Sequence, residues 1–229
     1  MAGGAIKAVL FDSGDTLLRP IGGTWWPRPV LLRLLQRSGL EVTAQRLDAA
    51  HEPGVRFLDS HHRLSTEEEE VAQFREFYAV VLRELGIRTE PATIEELAIA
   101  EVRELIQEPF PETREVLEEL HGRGLRLGIV SNAWPSLDRT YRILGLRDFF
   151  SAFIVSAHLG YIKPDLRIFR AATEAIGVPP AETLFIDDVT EHVLAAQSLG
   201  MCGVVISRDR AENPAARAIR SLAEVKSIV

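Results

Sequence analysis

AIKAVLFDSGDTLL, residues 5–18, is the stretch from which the fold is read. Ile6, Ala8, Val9, Leu10 and Phe11 make a short apolar run with β-branched members. Gly3-Gly4 bounds it before and Gly14 after, which predicts a buried parallel strand. The run stops at Asp12, and Asp15 and Thr16 follow at once. Taken alone, Asp12 reads first as a turn or helix-cap residue. A carboxylate at the carboxyl end of a central strand, however, lies where open α/β sheets bind ligands. The rest of the chain decides between the two.

Outward from this stretch the character changes twice. RPIGGTWWPRP (19–29) is rich in Gly and Pro and predicts a linker. From Pro29 to about Gln107 the pattern is all-helical. Pro29 suits a first helical position, and Pro53-Gly54 is expected to interrupt or bend the second helix. Ser65-Thr66 before Glu67–Glu70 gives a capping signature, and Thr93 with Glu96 repeats it. The Glu67–Glu70 run reads as a solvated helix start with no binding role. Beyond Pro109-Phe110-Pro111, strands expected over 125–130, 152–156, 183–186 and 202–206 alternate with helices over 113–121, 136–144, 165–176, 189–199 and 214–222. Such alternation means a doubly wound parallel sheet, a Rossmann-like α/β core with an α-helical insertion. The expected division is residues 1–18 and 110–229 for the core and 19–109 for the insertion.

The strand ends carry the chemistry. The first ends at Asp12, the second at Ser131-Asn132, and the one over 183–186 at Asp187-Asp188; Lys163-Pro164-Asp165 opens a helix on the same edge. Three clustered carboxylates repel one another and call for a cation, and oxygen ligands of this kind suit Mg2+. Ser131, the Lys163 ammonium and free backbone N–H groups suit a phosphoryl group. A carboxylate can also attack phosphorus. Lys163 stands out because Lys7 and Lys226 are the other lysines in a chain whose basic residues are otherwise Arg.

Composition excludes other classes. Net charge is −7, which argues against nucleic acid or an anionic membrane as partner. No apolar run approaches the roughly 18 residues of a membrane helix. The single cysteine, Cys202, reads as a buried reduced thiol, and a cytoplasmic protein is expected. Oligomeric state is not written in these residues.

Four segments, FDSGDTLL (11–18), IVSN (129–132), GYIKPDLRIF (160–169) and FIDDVTEHVLAAQSLGM (185–201), resemble in order the four motifs of the haloacid dehalogenase superfamily. The resemblance covers essentially the whole chain. It implies Asp12 as nucleophile, Ser131, Asn132 and Lys163 around the phosphate, and a helical cap over residues 19–109. It also implies Mg2+ held by Asp12, the Gly14 carbonyl and the Asp187-Asp188 pair.

One departure matters. The family's phosphatases carry a second Asp, the general acid and base, where this chain has Gly14. Asp15 would then be a residue tolerated at positive φ or a relocated acid. His192, one helical turn after Asp188, is a further candidate proton donor or a surface residue. His61 and His62 are expected at the surface, unless the helical insertion brings one over the site, and Trp25, Trp26 and Trp134 as packing residues in preference to pocket lining. The leading function is Mg2+-dependent hydrolysis of a small phosphorylated metabolite. The alternatives are 2-haloacid dehalogenation, which needs no proton donor, and a non-catalytic protein binding a phosphorylated ligand or partner. A phosphonate-cleaving relative is excluded, because no Lys lies between Lys7 and Lys163 to form a Schiff base.

Overall fold

A computed structural model describes residues 5–208 and 217–229; Gly3-Gly4, expected to bound the first strand, lie outside the described residues. The apolar run becomes β1 (Ala8–Phe11), every residue fully buried. Its side chains alternate between two cores. Val9 and Phe11 join one apolar cluster, while Ala8 and Leu10 join that on the opposite face.

A strand buried on both faces needs neighbours on both edges, and β1 has them. β4 (Arg126–Ser131) pairs parallel on one side and β6 (Thr183–Asp187) on the other. β5 (Phe150–Val155), β7 (Cys202–Ile206) and β8 (Arg217–Ile219) complete a six-stranded parallel sheet in the order β5-β4-β1-β6-β7-β8. The chain winds from β1 outward through β4 to β5, then returns to β6 on the other side. The carboxyl end of β1 is therefore the topological switch point. Helices α5 (Thr113–Gly122), α6 (Leu137–Ile143), α7 (Ser156–Leu159), α8 (Leu166–Ile176) and α9 (Thr190–Ser198) make the crossovers.

The helical segment lies between β2 (Leu18–Pro20) and β3 (Gln107–Pro109), which pair antiparallel and so carry the chain out and back side by side. It comprises α1 (Pro29–Arg37), α2 (Ala44–Ser60), α3 (Glu67–Glu84) and α4 (Pro91–Arg103) around an apolar cluster of its own. No helix among the described residues is long and apolar enough to cross a membrane.

Several local expectations are corrected by packing. Helix α2 runs unbroken through Pro53-Gly54, and Gly54 is a close-approach site against α3. A Cβ there would lie 2.6 Å from Phe77 Cε2. Gly54→Ala is accordingly expected to destabilise the protein by about 1–3 kcal/mol through overpacking, read as a lower Tm. Helix α4 starts at Pro91 after Glu90, two residues before the Thr93 cap expected of it, since a proline at the first position already has helical φ. No helix spans 214–222. Arg217–Ile219 pairs with the open edge of β7, burying Ile219, and a Ser221–Glu224 capping box starts a 3₁₀ turn (Leu222–Ser227); residues 214–216 lie outside the described residues. Cys202 is partly exposed at the start of β7, not buried.

The Glu67–Glu70 run does more than begin a helix. Thr66 caps α3 as expected, accepting from Glu69 N–H. Glu68 and Glu69 are exposed, but Glu70 is buried and its carboxylate accepts from the Ser136 N–H and hydroxyl at 2.8 and 2.6 Å. Glu67 pairs with Arg139 of α6 at 3.0 Å. These contacts dock the helical segment on the sheet layer. His62 adds another, its Nε2 lying 2.8 Å from Ser156 Oγ, while His61 stays exposed against Phe57.

Candidate active site

The strand ends named in the sequence converge. Asp12 leaves β1 with its N–H donating to Ile186 O, and the residue is 8% exposed. Lys163, 2% exposed, bridges two of the carboxylates: Nζ donates to Asp12 Oδ1 at 2.5 Å and to Asp187 Oδ2 at 2.6 Å. One oxygen from each of Asp12, Asp187 and Asp188 lies within 4.8 Å of the others.

Three carboxylates against one ammonium leave a local excess of negative charge, and protonation equilibria register it. Burial, reinforced by Asp187 and Asp188, pushes Asp12 up to about 7 despite Lys163. Burial, Asp187 and Asp15 push Asp188 up to about 6. Asp187 is fully buried, which opposes its charge, yet Lys163 and His192 hold its carboxyl below the usual range. Its Oδ1 also accepts from Val189 N–H at 2.8 Å. A small divalent cation with oxygen preference fits this donor set in charge and chemistry.

Lys163 is aimed by Asn132. The amide Oδ1 accepts from Lys163 N–H at 2.8 Å and Nδ2 donates to Lys163 O at 3.2 Å. Each amide atom thus makes one bond to the lysine backbone, and Asn132 also lines the cavity beside Ser131. In this geometry Asn132 positions Lys163, and its second Nδ2 hydrogen makes no bond to the described protein. Ser131, at the end of β4, lines a cavity of about 210 Å³ between the sheet and the helical segment.

The loop after Asp12 packs against Trp25. Asp15 has φ 55°, the left-handed backbone that Asp tolerates, and its Oδ2 accepts from Trp25 Nε1 at 2.8 Å. The structural reading of Asp15 therefore has a partner and a conformation to support it. A Cβ on Gly14 would meet Trp25 Cζ2 at 3.3 Å. The indole occupies the space beside position 14. His192 is partly buried, and its Nδ1 lies 3.1 Å from both Asp187 oxygens.

Other residues complete the cavity wall and its surroundings. Trp25 and Trp134 line the cavity as well as packing. Trp134 packs at a tilt against Phe74 and donates to Gln73 Oε1 at 2.7 Å. Trp26 packs, stacked on His51 at 4.0 Å. Arg28 and Glu101, from opposite ends of the helical segment, form an ion pair at 3.0 Å in the cavity wall. Ser13 Oγ lies 2.9 Å from the buried Tyr141 hydroxyl. Arg208, just beyond β7, donates to Thr16 O and pairs with Glu112 at 2.6 Å, tying the Asp15-Thr16 loop to the start of α5. The adjacency of Trp25 to the Gly14 loop was a usable signal. The others pair residues too distant in sequence to be read as partners.

Comparison with known proteins agrees with this geometry. A family model described as haloacid dehalogenase-like hydrolase matches residues 6–200. A glyceraldehyde 3-phosphate phosphatase of Methanothermobacter thermautotrophicus is 28% identical over 90% of this chain and 88% of its own length. A phosphoserine phosphatase of Thermus thermophilus is 32% identical over 92% and 93%. The L-2-haloacid dehalogenase structure from Xanthobacter autotrophicus superposes with a TM-score of 0.66 at 21% identity, covering 97% of this chain and 98% of that one, and so shares the fold. A family match over residues 6–200, on a sheet that brings the ends of β1, β4 and β6 to one switch point, means that this chain belongs to the haloacid dehalogenase-like hydrolases.

Proposed function

We propose that the chain is a cytoplasmic, Mg2+-dependent phosphatase of small phosphorylated metabolites, working through an aspartyl-phosphate on Asp12. Residues 19–109 would act as its cap over a core of residues 1–18 and 110–229. The observation that carries the reading is the Asp12 carboxylate at the switch point, held by Lys163 within a three-carboxylate cluster beside the Ser131 cavity. Two relatives that match nearly end to end are named as phosphatases.

In this mechanism Asp12 attacks phosphorus as the bond from phosphorus to the alcohol oxygen breaks. Lys163 offsets charge on the phosphoryl oxygens and Ser131 donates to them. The departing alkoxide takes its proton from water, because position 14 supplies none. A second water attacks phosphorus, releasing phosphate and its surplus proton and restoring Asp12. Asp12, Asp188 and the Gly14 carbonyl are the groups to hold Mg2+, which when bound draws charge from the phosphoryl oxygens. Asp187 orients this set through its bonds to Lys163, His192 and Val189.

Turnover of p-nitrophenyl phosphate is expected with Mg2+, with loss in EDTA and recovery on adding excess Mg2+. Asp188→Asn should raise the Mg2+ concentration for half-maximal rate by about tenfold or more. At limiting Mg2+ the rate should climb with pH through about 7, because Asp12 must lose its proton to attack. Saturating Mg2+ should move that rise to lower pH, since the cation displaces the proton.

Gly14 favours one second reading, 2-haloacid dehalogenation, in which Asp12 displaces halide from carbon and no proton donor is needed. Metal-independent release of chloride from 2-chloropropionate, with phosphate esters untouched, would establish it in place of the first.

A further inference from the structure

Arg28 is the basic residue among the described residues that line the cavity. Its place is built. Arg28 is the extended residue before α1, with no side-chain capping duty. Its Nε lies 3.0 Å from Oε1 of Glu101, whose carboxylate is 2% exposed and whose Oε2 accepts from the buried Tyr78 hydroxyl at 2.8 Å. The Trp25 ring flanks the guanidinium, 5.9 Å from its carbon. The partner at Nε leaves the Nη1/Nη2 edge, which makes no hydrogen bond to the described protein. That edge is a planar pair of N–H donors suited to a two-oxygen anion.

We propose that Arg28 reads a carboxylate on the alcohol part of the substrate, so that the preferred substrates are small phosphomonoesters bearing a carboxylate. The inference rests on the phosphatase reading and deepens it. The same cavity is lined at one place by Ser13, Gly14 and Ser131 and at another by Arg28, so one molecule can meet both. Its volume of about 210 Å³ suits a leaving group of few atoms. A monoanionic carboxylate is favoured over a second phosphate dianion because Glu101 already sits against the guanidinium and repels the higher charge more strongly. Glu70 does not compete for the edge, since both its oxygens accept from Ser136. Glu101 is a positioning residue, holding the guanidinium so that little freedom is lost on binding.

The test compares phosphoglycolate with ethyl phosphate, which differ by the carboxylate. With Mg2+ present, wild-type kcat/KM should favour phosphoglycolate by about 10- to 100-fold, the worth of a charged pair of hydrogen bonds. Arg28→Leu should bring that ratio close to one. Glu101→Gln should reduce it mainly through KM for phosphoglycolate. Calorimetric titration of the Asp12→Asn protein with each ester reads the same preference without turnover. Both esters turned over at equal rates, with equal binding, would overturn the role of Arg28 while leaving the phosphatase intact. An Arg28-dependent binding preference with no turnover in the wild type would sustain the role of Arg28 and overturn the phosphatase. Neither preference nor turnover would overturn both.

Discussion

Asp12→Asn is expected to reduce turnover of p-nitrophenyl phosphate by about 10⁴- to 10⁶-fold, the scale seen when a nucleophile is removed from a working constellation. The carboxamide keeps the shape of the side chain, and Lys163 retains its bond to Asp187. The fold should therefore survive, which thermal unfolding of the variant checks. Isotope placement supplies a second readout in the wild type. In ¹⁸O water a single turnover should put label into the released phosphate, because water attacks phosphorus. Label in the Asp12 carboxylate, with unlabelled product, would mean attack on the acyl carbon of an alkyl ester and would point to the dehalogenase reading. Wild-type activity in Asp12→Asn would remove the mechanism entirely.

Gly14→Asp is expected to have the opposite sign. A carboxyl group at this position can protonate the departing alkoxide, an effect worth about 10²- to 10⁴-fold for general acid catalysis. The gain should appear with ethyl phosphate and be much smaller with p-nitrophenyl phosphate, whose leaving group departs without a proton. The backbone at Gly14 is not in the left-handed region, so a side chain is admissible there. Its Cβ would lie 3.3 Å from Trp25 Cζ2, and the indole must yield by a few tenths of an ångström. Trp25 sits on a Gly-rich loop and is held through its bond to Asp15. Gly14→Asp combined with Trp25→Phe relieves the contact and should give the fuller gain. Were Asp15 already the acid, Asp15→Asn would slow ethyl phosphate selectively and Gly14→Asp would add little. Identical leaving-group dependence in all of these proteins would refute the missing-acid argument.

The two predictions draw on different levels of information. The Asp12 prediction was legible in the chain. Apolar runs that end in Asp12, Ser131 and Asp187 announce buried strands by their period and polar ends by their chemistry. Parallel pairing of those strands then brings their carboxyl ends together. The Gly14 prediction was half legible. The absent carboxylate is visible in the sequence, but the ring of Trp25 beside the gap is not.

Local signals failed where long-range contacts outweighed them. Pro53-Gly54 reads as a break or bend, yet α2 is continuous through it, with Gly54 packed against Phe77. Glu70 reads as one of four solvated acids, yet Ser136, 66 residues away, takes it into the interface. Residues 217–219 read as helix, yet the unpaired edge of β7 makes them strand.

By itself the sequence determined the α/β alternation, the helical insertion and the polar residues at strand ends, because each depends on neighbours within a few positions. Only the tertiary structure decided which polar groups meet: Lys163 with Asp12 across 151 residues, Asn132 with the Lys163 backbone, and Arg28 with Glu101 in the cavity wall. Such pairings are set by how helices and sheet pack, and the free energy of that packing is shared among many side chains, so no short stretch of sequence encodes them.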